Sequence, residues 1–215
     1  MSLFKPDLSL YLVTDKQSAR GKDLLEVVES ALQGGVTTVQ VRDKDSGAFE
    51  IVTFCKAVKL MTDRFDAALI VDDRVDVAIA AGADGVHLGD QDIPPGLARS
   101  LMGRGAIIGA TAASIEMAME AEEQGADYIG VGPFKPTSTK PGHADPLGIE
   151  GLARIGSSVS IPWVAIGGIT ARDAEAIIRA GASGIAVASA ICGAEDPKTA
   201  AEEIKRAIKE GIGVS

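Results

Sequence analysis

Cysteine is scarce in this chain. Its 215 residues hold two, Cys55 and Cys192, far apart and without the spacing of a zinc site, so free thiols in a reducing compartment are expected. Positive charge is in deficit as well. Twenty-one Lys and Arg stand against 30 Asp and Glu, a formal net charge of −9 with a pI near 4.8, which argues against a broad nucleic-acid or anionic-membrane surface. An anionic ligand would have to be held by a few local lysines and arginines inside an acidic shell. No apolar run approaches the length of a membrane span, and the opening Met1-Ser-Leu-Phe-Lys-Pro6 lacks the apolar core of a signal peptide. A cytoplasmic protein is therefore expected. No Ser-His-Asp set, zinc spacing or P-loop is present. Of the two histidines, His87 reads as a packed core residue, and His143 as solvent-facing or part of a lid.

What the chain does have is a repeating alternation of short apolar runs and helical stretches. The runs are Leu10 to Thr14, Thr37 to Val41, Ala68 to Val71, Gly85 to Leu88, Ile107 to Ala110, Tyr128 to Val131, Trp163 to Ile166 and Ile185 to Ala188. Between and after them lie helical patterns, several opened by a capping residue (Asp23, Ser114, Thr170) and closed by glycine (Gly34, Gly82, Gly125, Gly181). Continuous apolar strands suit a parallel sheet buried on both faces. Eight β-then-α units over residues 1–215 predict one (β/α)8 TIM-barrel domain, with an open doubly wound sheet as the alternative.

In such a barrel the chemistry sits where the strands end. The second run continues as Gln40-Val-Arg-Asp-Lys44. Alternation sends Gln40, Arg42 and Lys44 into the barrel mouth and Val39 and Val41 toward the helices. A glutamine and two cations on one inward face are costly to bury without an anionic partner. The third run ends in Asp72-Asp73 and the fourth is followed by Gly89-Asp-Gln-Asp92. These aspartates read either as helix caps or, for Asp73 and Asp92, as oxygen ligands of Mg²⁺, which takes one or two carboxylates alongside water and phosphate. The seventh run leads into Gly167-Gly-Ile-Thr170 and the eighth into Ser189, the two places where this fold cradles phosphate. After the sixth run, Phe134-Lys-Pro-Thr-Ser-Thr-Lys140 offers three hydroxyls between two lysines.

Taken together, these stretches resemble the thiamine-phosphate synthase family. The resemblance rests on Tyr11-Leu-Val-Thr-Asp15, Gln40-Val-Arg-Asp-Lys44, Asp73-Arg-Val-Asp-Val-Ala78, Gly82-Ala-Asp-Gly-Val-His-Leu-Gly89, Gly130-Val-Gly-Pro133, Pro136-Thr-Ser-Thr-Lys140 and Ala165-Ile-Gly-Gly-Ile169. It implies a transferase that joins a pyrimidine methyl diphosphate to a thiazole phosphate, forming thiamine phosphate and releasing pyrophosphate. The family's expected route is a pyrimidine methylene cation captured by the thiazole nitrogen. By position, Gln40, Val41, Arg42, Asp43, Lys44, Asp72, Thr111 and Lys140 would hold the pyrimidine diphosphate, with Arg42, Lys44 and Lys140 catalytic. Asp73 and Asp92 would bind Mg²⁺. Thr137, Ser138, Thr139, Gly168, Ala188 and Ser189 would hold the thiazole phosphate. The partners implied are small phosphorylated molecules, with no nucleic acid and no membrane, and a homo-oligomer is compatible with the sequence.

Two positions depart from the family pattern: Asp72 replaces the usual asparagine, and Lys135 replaces an aromatic residue. An ionised carboxylate beside a diphosphate invites a compensating cation, so Asp72 and Lys135 are expected to pair across the mouth. The alternative functions are an isomerase similar to the family's thiazole tautomerase, or a non-catalytic barrel that binds a thiamine precursor. The tautomerase carries a histidine after the fifth strand, whereas Gly109-Ala-Thr-Ala-Ala-Ser114 holds none. A non-catalytic barrel has no use for both Asp73 and Asp92.

Overall fold

Strands form where the chain is short, apolar and β-prone, and helices where apolar residues recur at a period near 3.6. The computed structural model describes residues 6–136 and 145–213. Its strands are β1 (Leu10–Val13), β2 (Thr38–Val41), β3 (Ala68–Asp72), β4 (Gly85–Leu88), β5 (Ile107–Ala112), β6 (Tyr128–Val131), β7 (Trp163–Ile166) and β8 (Gly184–Val187). All pair in parallel in sequence order, and β8 returns to β1, which closes the predicted (β/α)8 barrel. The helices are α1 (Lys16–Ala19), α2 (Leu24–Gln33), α3 (Ala48–Arg64), α4 (Val75–Ala81), α5 (Pro95–Met102), α6 (Ile115–Glu123), α7 (Gly148–Gly156), α8 (Ala171–Arg179), α9 (Ser189–Cys192) and α10 (Pro197–Ile212). None is long and apolar enough to cross a membrane.

Two helices, α1 and α9, go beyond what the sequence pattern predicts, and each has four residues. A single turn is too short for periodicity to reveal. Asp15 caps α1 by accepting from the Gln17 amide; Ile191 and Cys192 anchor α9 in the core.

The period of two along each strand sorts side chains into two apolar layers. In β1, Leu10 and Leu12 face the helices while Tyr11 and Val13 face inward. In β3, Leu69 and Val71 face out and Ala68 and Ile70 face in. Each buried leucine, isoleucine or valine among them is worth about 1.5–3 kcal/mol of removed apolar surface. Gly109 in β5 is where the inner layer needs an absent side chain, because a Cβ there would run into the ring of Tyr128. That space lets the Tyr128 phenol lie across the barrel toward β1. The parallel order puts the C-terminal ends of all eight strands, and the loops that follow them, at one end.

Candidate active site

A cavity of about 470 Å³ opens among these strand ends, a size suited to a small ligand. Its floor is a chain of hydrogen-bonded polar groups contributed by five strands. Gln40 Nε2 donates to the Tyr11 hydroxyl at 3.1 Å, and the Tyr11 and Tyr128 hydroxyls share a bond of 2.8 Å. The Tyr128 hydroxyl meets His87 Nδ1 at 3.1 Å, and His87 Nε2 meets Thr111 Oγ1 at 3.1 Å. Burial pushes both phenols well above their ordinary value, so they stay neutral and exchange hydrogen bonds only. Every member of the chain is satisfied, which fixes Gln40 and Thr111 at the bottom of the cavity. His87 therefore differs from the packed core residue expected. It is half-buried and lines the cavity.

The rim is built from charge. Beyond β2, the Arg42 amide donates to Thr14 Oγ1 at 3.0 Å, which holds the extended chain against the end of β1. Arg42 and Lys44 both line the cavity, and so do Asp72 and Asp73. Asp72 Oδ2 lies 3.7 Å from Arg42 Nε and 3.2 Å from Lys44 Nζ, and Lys44 also pairs with Asp73. Asp73 adopts a left-handed backbone, φ 59°, a conformation uncommon outside glycine. Its amide donates to the His87 carbonyl at 2.8 Å, and the Arg74 amide turns back to the Asp72 carbonyl at 2.7 Å. This tight turn brings two successive carboxylates to the same mouth.

Across the cavity, Gly167 and Gly168 both have positive φ, 103° and 66°. The chain leaving β6 is stitched to them: the Phe134 amide donates to the Ile166 carbonyl at 2.8 Å and the Lys135 amide to the Gly167 carbonyl at 3.0 Å. A Cβ at Gly168 would crowd Lys135 and Pro136. The same stitching carries the Lys135 ammonium to Asp173 on α8, at 2.6 Å. Asp173 in turn accepts from the amide and hydroxyl of Thr170, closing the N-terminus of α8. Burial works to raise the Asp173 pKa, but Lys135 and Thr170 outweigh it and hold the carboxyl below its ordinary value. The expected pairing of Lys135 with Asp72 is thus corrected. Lys135 follows β7 to Asp173, while Asp72 is met by Lys44 and Arg42.

Of the residues expected in the site, Gln40, Arg42, Lys44, Asp72, Asp73 and Thr111 share the cavity with Gly168, Ala188 and Ser189. Val41 is buried in the outer apolar layer. Asp43 turns to Lys16 Nζ at 2.5 Å and accepts from the amides of Asp45 and Ser46. Burial works to raise its pKa, yet the bonds from Lys16, Ser46 and Asp45 draw it down to about 2. Asp92 Oδ2 accepts from the Gly89 amide at 2.7 Å, and its neighbours Asp90 and Gln91 line the cavity instead. Thr137, Ser138, Thr139, Lys140 and His143 lie outside the described residues. Among the described residues no group of three or more His, Cys, Asp or Glu is placed to hold a metal. The carboxylates that line the cavity, Asp72, Asp73 and Asp90, offer hard oxygens of the kind Mg²⁺ takes singly or in pairs. Both thiols are buried, and burial pushes Cys55 up to about 12 and Cys192 up to about 11, which rules them out as nucleophiles at neutral pH.

A closed eightfold parallel barrel whose mouth gathers two cations, a glycine turn and Ser189 defines a (β/α)8 barrel protein with a polar cavity at its strand ends. The sequence profile described as "Thiamine monophosphate synthase" matches residues 10–191. The thiamine-phosphate synthase of Pyrococcus abyssi is 45% identical over 210 residues, 98% of this chain and 99% of that one. That of Clostridium tetani is 43% identical over 198 residues, 92% and 94% of the two chains. The solved thiamine phosphate pyrophosphorylase of Pyrococcus furiosus superposes with a TM-score of 0.88 at 43% identity, covering 97% of this chain and 98% of its own. The chain belongs to the thiamine monophosphate synthase family. Its function is that of a thiamine-phosphate synthase, a transferase acting on small molecules.

Proposed function

We propose that the cavity holds both substrates of that reaction at once, the pyrimidine diphosphate against the charged rim and the thiazole phosphate against the glycine turn. The observation that supports this most is that Arg42 and Lys44 line one space together with Gly168 and Ser189. Gln40 and Thr111, held by the floor network, orient the pyrimidine ring, while Val41 and Asp43 support the strand end that presents Arg42 and Lys44. The reaction breaks the bond between the pyrimidine methylene and the diphosphate oxygen, so negative charge grows on the leaving group. Arg42 and Lys44, joined by Lys140, meet that charge, and their stabilisation is worth most in the transition state. No protein nucleophile is required. The thiazole nitrogen takes the methylene carbon, and pyrophosphate leaves. Thr137, Ser138, Thr139, Gly168, Ala188 and Ser189 hold the thiazole phosphate, a remote handle that sets the angle of attack.

Asp73 and Asp92 would hold Mg²⁺ with the diphosphate. When bound, the ion neutralises phosphate oxygens and makes the diphosphate a better leaving group. A cytoplasmic setting belongs to the same reading. The test is direct: purified protein, both substrates and Mg²⁺ should give thiamine phosphate and pyrophosphate in equal amounts. Formation of neither product would refute the proposal.

A further inference from the structure

Four of the described charges on the rim offset one another, with Asp90 lining the cavity beside them. Arg42 and Lys44 contribute two positive charges, Asp72 and Asp73 two negative ones, and Asp72 lies within ion-pair distance of both cations. A diphosphate that binds these cations therefore shares them with a carboxylate already in place. The partners differ in freedom. Asp72 is the last residue of β3, registered against His87 of β4, with its side chain 12% exposed. Lys44 stands beyond the end of β2, and its side chain is 44% exposed. The aspartate is the fixed member of the pair, and the lysine is the one able to move.

We infer that Asp72 makes diphosphate binding at this rim depend on a divalent cation, acting as a positioning residue through Lys44 and Arg42. This rests on the reading that the rim takes the diphosphate. An anion approaching without a metal meets a neutral quartet and competes with Asp72 for Lys44. A divalent cation held at Asp73 with the anion offsets the charge of the neighbouring Asp72, and the two side-chain cations then turn to phosphate oxygens. An asparagine at position 72 leaves the rim one charge more positive. It should bind a bare polyanion better and gain less from the metal.

The experiment is calorimetric titration of the full chain with sodium pyrophosphate, in EDTA and in excess Mg²⁺, for the unaltered protein and for Asp72→Asn. In EDTA the variant should bind roughly tenfold tighter, the scale of one part-buried charge pair. In Mg²⁺ the advantage should disappear or reverse, so the affinity ratio between the two buffers falls by about the same factor. A structural defect would weaken binding in both buffers, whereas a removed competitor strengthens it in one only. Asp72→Ser serves as a second variant should Asp72→Asn not fold. Equal metal-free affinity, or an unchanged Mg²⁺ dependence in a folded variant, overturns the inference while leaving the rim as the diphosphate site. Failure of either protein to bind pyrophosphate in both buffers overturns the reading of the rim, and the inference with it.

Discussion

The floor and the rim of one cavity solve opposite problems. On the floor, Gln40, Tyr11, Tyr128, His87 and Thr111 are tied to one another by hydrogen bonds of 2.8–3.1 Å between groups that carry no formal charge on the tyrosines, glutamine or threonine. On the rim, Arg42, Lys44, Asp72 and Asp73 satisfy one another by ion pairs, in part through an exposed lysine. A neutral network in a low-dielectric interior holds its members rigidly and is costly to interrupt. A part-exposed charge cluster contributes little to stability, and its partners can be exchanged for a ligand's charges. The fold therefore keeps shape at the bottom of the cavity and exchangeable charge at the top.

Substitutions should separate the two regions, and the largest effect belongs to the rim. Lys44→Ala and Arg42→Ala each remove a cation that meets the leaving group, so turnover should fall by about 10²–10³-fold. The unfolding midpoint should move little, because each side chain is more a ligand than a prop. Steady-state kinetics beside thermal unfolding checks both halves. A large loss of stability with turnover intact would erase the contrast.

The floor should behave the other way. Tyr128→Phe deletes the hydroxyl that joins Tyr11 to His87 and should cost about 1–3 kcal/mol of stability, the penalty for stranding buried polar groups. Gly109→Ala drives a methyl group into the same ring and should cost a similar amount, about 1–3 kcal/mol, through overpacking. Urea unfolding measures both. Turnover at saturating substrate should change far less than in the rim variants.

A smaller effect is expected at the opposite wall. Lys135→Ala removes the ammonium that ties the chain after β6 to Asp173 and should raise the KM for the thiazole phosphate a few-fold. Because Lys135 and Asp72 have separate partners, the double variant with Asp72→Asn should show additive effects on binding energy, within about 0.5 kcal/mol. Clear non-additivity in that cycle would restore direct coupling across the mouth.

The contrast also explains what the sequence could reveal. The barrel was legible because eight apolar runs alternate with helices, many of them capped and closed by glycine. The rim was legible because alternation from Gln40 places Arg42 and Lys44 on one face. The floor was not, because its members belong to different strands and Tyr11 and Tyr128 are 117 positions apart; each alone looks like ordinary core. The two-residue step from His87 to Gly89 at the cavity did hold a signal for His87, outweighed by its place inside an apolar strand. The partner of Lys135 depended on how the chain after β6 runs along β7, which no local pattern specifies. Asp43 and Asp92 share the sequence neighbourhood of the site, yet local turns engage their carboxylates.

Asp43 offers the finest cut between a residue in the site and one beside it. Its carboxyl is drawn down to about 2, against an ordinary aspartate value of about 4. A depressed folded-state pKa adds stability above the unfolded value and loses it as pH falls through the folded one. The contribution should therefore be complete at neutral pH and vanish between about pH 4 and pH 2. Lys16→Met removes one of the groups that lower it, so the Asp43 titration, followed by carboxyl NMR, should shift upward. Lys16 is more than half exposed, and the loss of stability at neutral pH should stay below about 1 kcal/mol. The KM for the pyrimidine diphosphate should hardly change, because the Asp43 side chain serves its own turn while Lys44, one residue on, serves the cavity. A rise in KM comparable to that of Lys44→Ala would move Asp43 onto the rim and make its ion pair with Lys16 part of substrate binding.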